Sequence, residues 1–189
     1  MKIFKNLFLC LFIVFISSCN ENIYEDQEGA WAGIIVPGKR IEGIKLGDSR
    51  EAVVEKLGQP NAGGIADGSF RSWFESDYTE GPHAGLSICY LELQGGSHGP
   101  ADIIAATAPY KGKTKEGIRI GSSLRDVHKA YGEPERTWSS AVTNPYRTWI
   151  ADIYCINQKH FEIHYEDSLV TTFSIGYFLP PPDEFNDCK

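Results

Sequence analysis

"GIKLGDSREAVVEKLGQP" occupies Gly43 to Pro60 and "GIRIGSSLRDVHKAYGEP" occupies Gly117 to Pro134, nearly one phrase written twice at an offset of 74 positions. Gly43, Ile44, Gly47, Ser49, Val53, Gly58 and Pro60 recur as Gly117, Ile118, Gly121, Ser123, Val127, Gly132 and Pro134. A serine ahead of a helix accepts a hydrogen bond from a backbone N–H two or three residues on. Ser49 and Ser123 are therefore read as N-caps. Glycine takes up the left-handed conformation that closes a helix, and a proline two positions later forbids continuation, so Gly58 and Gly132 are read as the stops. Between cap and stop, Val53 and Leu57, or Leu124, Val127 and Tyr131, fall on one helical face. Arg50, Glu51, Glu55 and Lys56 form the opposite face of the first copy. A helix of about nine residues does not persist alone in water. Each copy must rest on a sheet.

Further echoes predict that sheet. "FRSW" at Phe70 to Trp73 returns as "YRTW" at Tyr146 to Trp149, and "LSICY" at Leu86 to Tyr90 returns as "FEIHY" at Phe161 to Tyr165. Phe161, Ile163 and Tyr165 alternate with His160, Glu162 and His164, the period of a half-buried strand. Val170 to Tyr177 alternates in the same way. Residues 103 to 108 read either as a strand or as a short helix after Pro100. The lead-ins "GIIVPGKRIEG" and "ATAPYKGKTKEG" are expected to add a strand ahead of each helix in the same sheet. The fold class expected is α+β: two tandem repeats, each a short helix or helix pair packed on a three- to four-stranded antiparallel sheet.

At the N-terminus, Lys2 and Lys5 precede an apolar run from Leu7 to Ile16 and then Ser17, Ser18 and Cys19. That run is too short to cross the roughly 30 Å of a bilayer and reads as a secretory signal. Ile16-Ser17-Ser18-Cys19 resembles a bacterial lipobox, which implies cleavage before Cys19 and its acylation, palmitate included. Burial of acyl chains at about 0.8 kcal/mol per methylene holds such a protein on a membrane. Loss of residues 1 to 18 removes two lysines and no acid, taking the net charge from −7 to −9. Nucleic acid, which demands clustered Lys and Arg, is excluded as a partner. Cys89, Cys155 and Cys188 remain; one disulfide is expected in an oxidising compartment, with the pairing open. Their spacing does not suggest zinc, and no metal or other cofactor is expected.

The phrases "GDSREAVVEKLGQP…FRSW" and "GSSLRDVHKAYGEP…YRTW" resemble the SmpA/OmlA outer-membrane lipoproteins over roughly 35 residues each. The resemblance implies a small accessory component of barrel assembly. SmpA/OmlA proteins usually carry one such unit, and this chain carries two copies of the pattern. The beta-lactamase-inhibitor protein is similar at the level of fold, with two tandem helix-plus-sheet units presenting a protein-binding surface.

Other patterns are weaker. "GGSHG" at Gly95 to Gly99 satisfies G-x-S-x-G with Ser97 as nucleophile, but Pro100 follows where a helix is required, and a hairpin loop is expected. His160 and His164 on a strand would lie about 13 Å apart, too far for one ion, and read as surface imidazoles. Arg71 and Arg147 stand at matched positions beside Trp73 and Trp149, which read as core. If Trp149, Ala151 and Ile153 point inward, alternation sends Tyr146, Ile150 and Tyr154 outward. Phe70 and Phe74 would do likewise in the first copy. This aromatic face is the expected partner-binding site, or is covered by the other unit.

The chain is thus divided into a signal peptide, 1–18; a lipidated acidic tether, 19–31; a first repeat, 32–110; a second repeat, 111–178; and a Pro-rich tail, 179–189. The expected function is that of a lipid-anchored envelope protein, a non-catalytic binding or assembly module whose partners are a membrane and unidentified envelope proteins. The alternatives are an inhibitor or modulator of an envelope enzyme, and a hydrolase using Ser97. In enteric bacteria an aspartate after the lipid cysteine is associated with inner-membrane retention; Asn20 points instead to the outer membrane.

Overall fold

A computed structural model of the protein describes residues 33–67, 72–92, 98–141, 148–176 and 188. These fall in one compact unit that runs from Trp31 to Lys189. Side chains at 65–67, 72–74, 92, 140, 141, 148 and 149 are not described. In chain order the elements are β1 (Ile34–Val36), β2 (Arg40–Ile41), β3 (Ile44–Lys45), α1 (Arg50–Leu57), β4 (Ala62–Asp67), β5 (Ser72–Tyr78), β6 (Leu86–Glu92) and β7 (His98–Thr107). There follow β8 (Lys113–Thr114), α2 (Leu124–Tyr131), β9 (Arg136–Ala141), β10 (Thr148–Ile156), β11 (Lys159–Glu166) and β12 (Leu169–Gly176). The fold is mixed α+β and mostly sheet, with two helices among the described residues.

Both helices begin and end as their capping residues dictate. Ser49 Oγ accepts from the N–H of Ala52, and Ser123 Oγ accepts from Asp126, each at 3.2 Å. Gly58 and Gly132 follow the last helical residues at φ 80° and 82°, donating their N–H groups to Val54 and His128. Such φ values suit glycine, which has no Cβ to clash. Val53 and Val127 point into the core and are fully buried.

The four strands after α1 and the four after α2 lie in one continuous antiparallel sheet, ordered β4-β5-β6-β7-β12-β11-β10-β9, rather than in two. The halves join where β7 meets β12, with Ile104 opposite Ile175 and Ala106 opposite Phe173. Gly176 ends this seam at φ 104°, where a Cβ would collide with the carbonyl oxygen of Asp102. Residues 103 to 108, ambiguous in sequence, fall largely within β7. The lead-ins do not join the large sheet. They build a second one, ordered β3-β2-β1-β8, in which β1 and β8 pair in parallel.

One face of the large sheet carries Ile88, Tyr90, Ile104, Phe161, Ile163, Phe173 and Ile175, packed with Val53, Val127 and Ile35, Ile41 and Ile44 of the small sheet. Phe161 and Phe173 stack with centroids 5.9 Å apart. Burial of one such side chain is worth about 1.5–3 kcal/mol. The opposite face bears Cys89, Ile103, Ala105, Ala151, Ile153, Glu162, His164 and Ser174, and these too are buried. β11 is therefore buried on both faces, which corrects the half-buried reading and the surface placement of His160 and His164. Glu42 ties the small sheet to its surroundings, accepting from Gly33 N–H at 2.6 Å and the Tyr110 hydroxyl at 3.0 Å.

Candidate functional site

Of the expected aromatic face, the side chains of Ile150 and Tyr154 are described, and neither stands out as an exposed docking residue. Tyr154 is 3 % exposed and lies in the core, and Ile150 packs against that same core. The phase of β10 is the reverse of the one expected. Ile150, Asp152 and Tyr154 face the helices, while Ala151 and Ile153 face away, buried on the other side. Alternation marks a phase only when one face is polar and wet, and here both are buried. Tyr154 stacks at a tilt on Tyr131 of α2, with centroids 5.7 Å apart, and its hydroxyl donates to the Gly132 carbonyl at 3.4 Å. Burial raises its phenol pKa, reinforced by the charge of Asp152. Phe70, Arg71, Tyr146, Arg147, Ser97 and Cys19 lie outside the described residues, as do the side chains of Phe74, Trp73 and Trp149.

Beside Tyr154 sits a polar cluster that the sequence reading missed. Asp152 is 1 % exposed. Its Oδ2 lies 2.8 Å from Nε2 of His128 on α2, and its Oδ1 accepts from the Thr137 hydroxyl on β9 at 2.7 Å. The other ring nitrogen of His128 lies 3.9 Å from Glu133. Tyr165 faces the same carboxylate, and its pKa is raised by burial, reinforced by the charge of Asp152. A buried carboxylate is tolerable only when its lone pairs are met, and this one fastens α2 and β9 to β10. Both nitrogens of His128 face acids, so the geometry holds a helix in place. The available sequence signal was an acid inside an apolar strand run.

On the far face of the sheet, Cys155 and Cys188 form a disulfide with Cα atoms 5.4 Å apart, which decides the open pairing. His160 sits directly across from Cys155 on β11. Burial lowers its imidazole pKa, opposed by the charges of Glu162 and Glu135. His164 and Glu162 approach to 3.2 Å on that face. Cys89 is a free, buried thiol, pushed up to about 12 by burial and then by the charges of Glu75 and Asp77.

Among the described residues, one exposed feature with binding character is a groove of about 1100 Å³ between the segment 108–123 and one side of α2. Lys111, Lys113, Arg119 and Lys129 line it, all exposed, on a chain of net charge −7. Its two acids are engaged: Glu116 accepts from the Tyr131 hydroxyl at 3.0 Å, and Asp126 accepts from the Ser123 hydroxyl at 2.7 Å. Leu169, 47 % exposed, also lines it, with Ile120 beside the cations. The sequence reading did not find this groove, because its cations are scattered over nineteen positions and line one groove only in the folded chain.

No protein-family model and no curated protein matches the chain. Two solved structures are similar. One is a DUF4309-family protein, YjgB, from Bacillus subtilis, with TM-score 0.47 and 14% identity over 74% of this chain and 87% of its own. The other is a Streptococcus mutans protein provisionally named a beta-lactamase inhibitor protein, with TM-score 0.26 and 13% identity over 67% and 80%. At such identities neither neighbour says what this chain binds.

Proposed function

We propose that this chain is a lipid-anchored envelope module that acts by non-covalent protein contact, with the basic groove beside α2 as its docking site. The groove carries the reading. Four exposed cations around Leu169 and Ile120 offer charge and apolar area together, which suits an acidic, partly apolar segment of a partner protein. Attachment through Cys19 would place the groove beyond a membrane surface, probed by fatty-acid labelling that Cys19→Ser must abolish. In this reading the chain is a tandem duplication with SmpA/OmlA likeness. Two observations support it: a capped helix followed by four strands occurs twice, and each helix end receives a tyrosine hydroxyl from a matched strand position. The groove lies mostly in the second copy, with Ala108, Pro109 and Tyr110 contributed by the end of the first.

The direct test of docking is charge reversal. Lys113→Glu combined with Lys129→Glu, in detergent-solubilised full-length chain, is expected to abolish capture of the partner and leave thermal unfolding unchanged. Capture that persists at wild-type strength would remove the groove from the function.

A further inference from the structure

Cys155, Cys188 and His160 bring their sulfur and nitrogen atoms within 4.8 Å of one another. The sequence obscures this, since the cysteines are 33 positions apart. Two of the three donors belong to one hairpin. Cys155 and His160 are direct cross-strand partners on β10 and β11, joined through Asn157 and Gln158, whose positive φ values of 55° and 60° close the turn tightly. Glu135 on the neighbouring segment accepts the N–H of Cys155 at 2.9 Å and fixes that backbone. The third donor, Cys188, comes from the C-terminal end of the chain. A tetrahedral zinc ion takes sulfur at about 2.3 Å and imidazole nitrogen at about 2.1 Å, which holds such donors roughly 3.5 to 3.8 Å apart. The observed cluster needs only a small adjustment to reach that arrangement.

We propose that the reduced chain is a zinc site, with Cys155, Cys188 and His160 as ligands and water in the fourth position. In the oxidised chain the two sulfurs are consumed by their mutual bond and the site is closed. A dithiol reductant opens it: the reductant's two thiols become a disulfide, and the Cys155–Cys188 bond becomes two thiols. On coordination each thiol releases one proton and binds as a thiolate. Two sulfurs and one imidazole favour a thiophilic ion of the zinc type over calcium or magnesium. Among the described residues the remaining cysteine does not compete, because Cys89 is buried and its thiol is pushed up to about 12.

The test uses full-length chain with Cys10 and Cys19 replaced by serine, reduced and oxidised, titrated with Zn2+ against a chromophoric chelator, with Co2+ as a spectroscopic substitute. The expected result is one Zn2+ per reduced chain, none on the oxidised chain, and a thiolate-to-cobalt charge-transfer band. Cys188→Ser should abolish the band's two-thiolate intensity, and His160→Gln should weaken zinc by at least about tenfold, the scale seen for lesser changes around metal sites. No uptake by the reduced chain overturns the proposal. Equal uptake by the oxidised chain, or an affinity unaltered in His160→Gln, overturns it as well. Should His160→Gln not fold, the Co2+ spectrum of the reduced parent chain decides: a tetrahedral two-sulfur spectrum supports the site, and an octahedral spectrum without sulfur bands contradicts it.

Discussion

Tyr154 on β10 reaches back 22 positions to donate its hydroxyl to the carbonyl of Gly132, the residue that closes α2. Tyr78 on β5 does the same to Gly58 at the end of α1. A helix leaves its last carbonyls without partners. In each half of the sheet a core tyrosine meets one of them, so the same side chain both buries a ring and finishes a helix.

Removing either hydroxyl therefore costs stability without leaving a cavity. Tyr78→Phe is expected to destabilise by about 0.5–1.5 kcal/mol, the usual net worth of one hydrogen bond. Tyr154→Phe should cost less, because its bond is 3.4 Å long against 3.0 Å for Tyr78. Chemical denaturation of the two variants checks the order. Equal or inverted losses would show that bond length does not rank the two hydroxyls, and no loss in either variant would show that the rings alone matter.

The caps, the stops and most strands were legible because local chemistry decides them. Ser49 and Ser123 cap, Gly58 and Gly132 close, and Val53 and Val127 are buried. The phase of β10 was not legible, since Ala151 and Ile153 on one side and Ile150 and Tyr154 on the other are all apolar. Nor was the joining of β7 to β12, which depends on two edges more than sixty positions apart. The groove and the Cys155–Cys188–His160 cluster were illegible for the same reason: each gathers residues that only the folded chain brings together.

Asp152 couples to His128 through a 2.8 Å contact in a buried setting. Asp152→Asn is expected to cost about 1.5–3 kcal/mol, the range for hydrogen bonds to charged groups. Paired with His128→Ala, it should show a coupling of about 0.5 kcal/mol or more in a double-mutant cycle. Strictly additive losses would mean that the carboxylate is held by Thr137 alone.

Cys89 should be inert in the folded chain. Its thiol is pushed from 9.0 up to about 12 by burial and by the neighbouring acids. Because the raised value disfavours the thiolate, the reactive fraction at mildly alkaline pH falls by about 1,000-fold relative to an ordinary thiol. Alkylation of the oxidised chain at pH ~8 should proceed only after denaturant is added. Rapid labelling of native protein would contradict the burial.

The central claim is that the basic groove around Leu169 receives a protein partner, and site-specific photocrosslinking in intact cells tests it most directly. A crosslinker at position 169 should yield one discrete protein adduct that Lys113→Glu with Lys129→Glu removes, while a crosslinker at Glu55, on the exposed side of α1, yields none. No adduct from position 169, or the same adduct from both positions, would contradict the account.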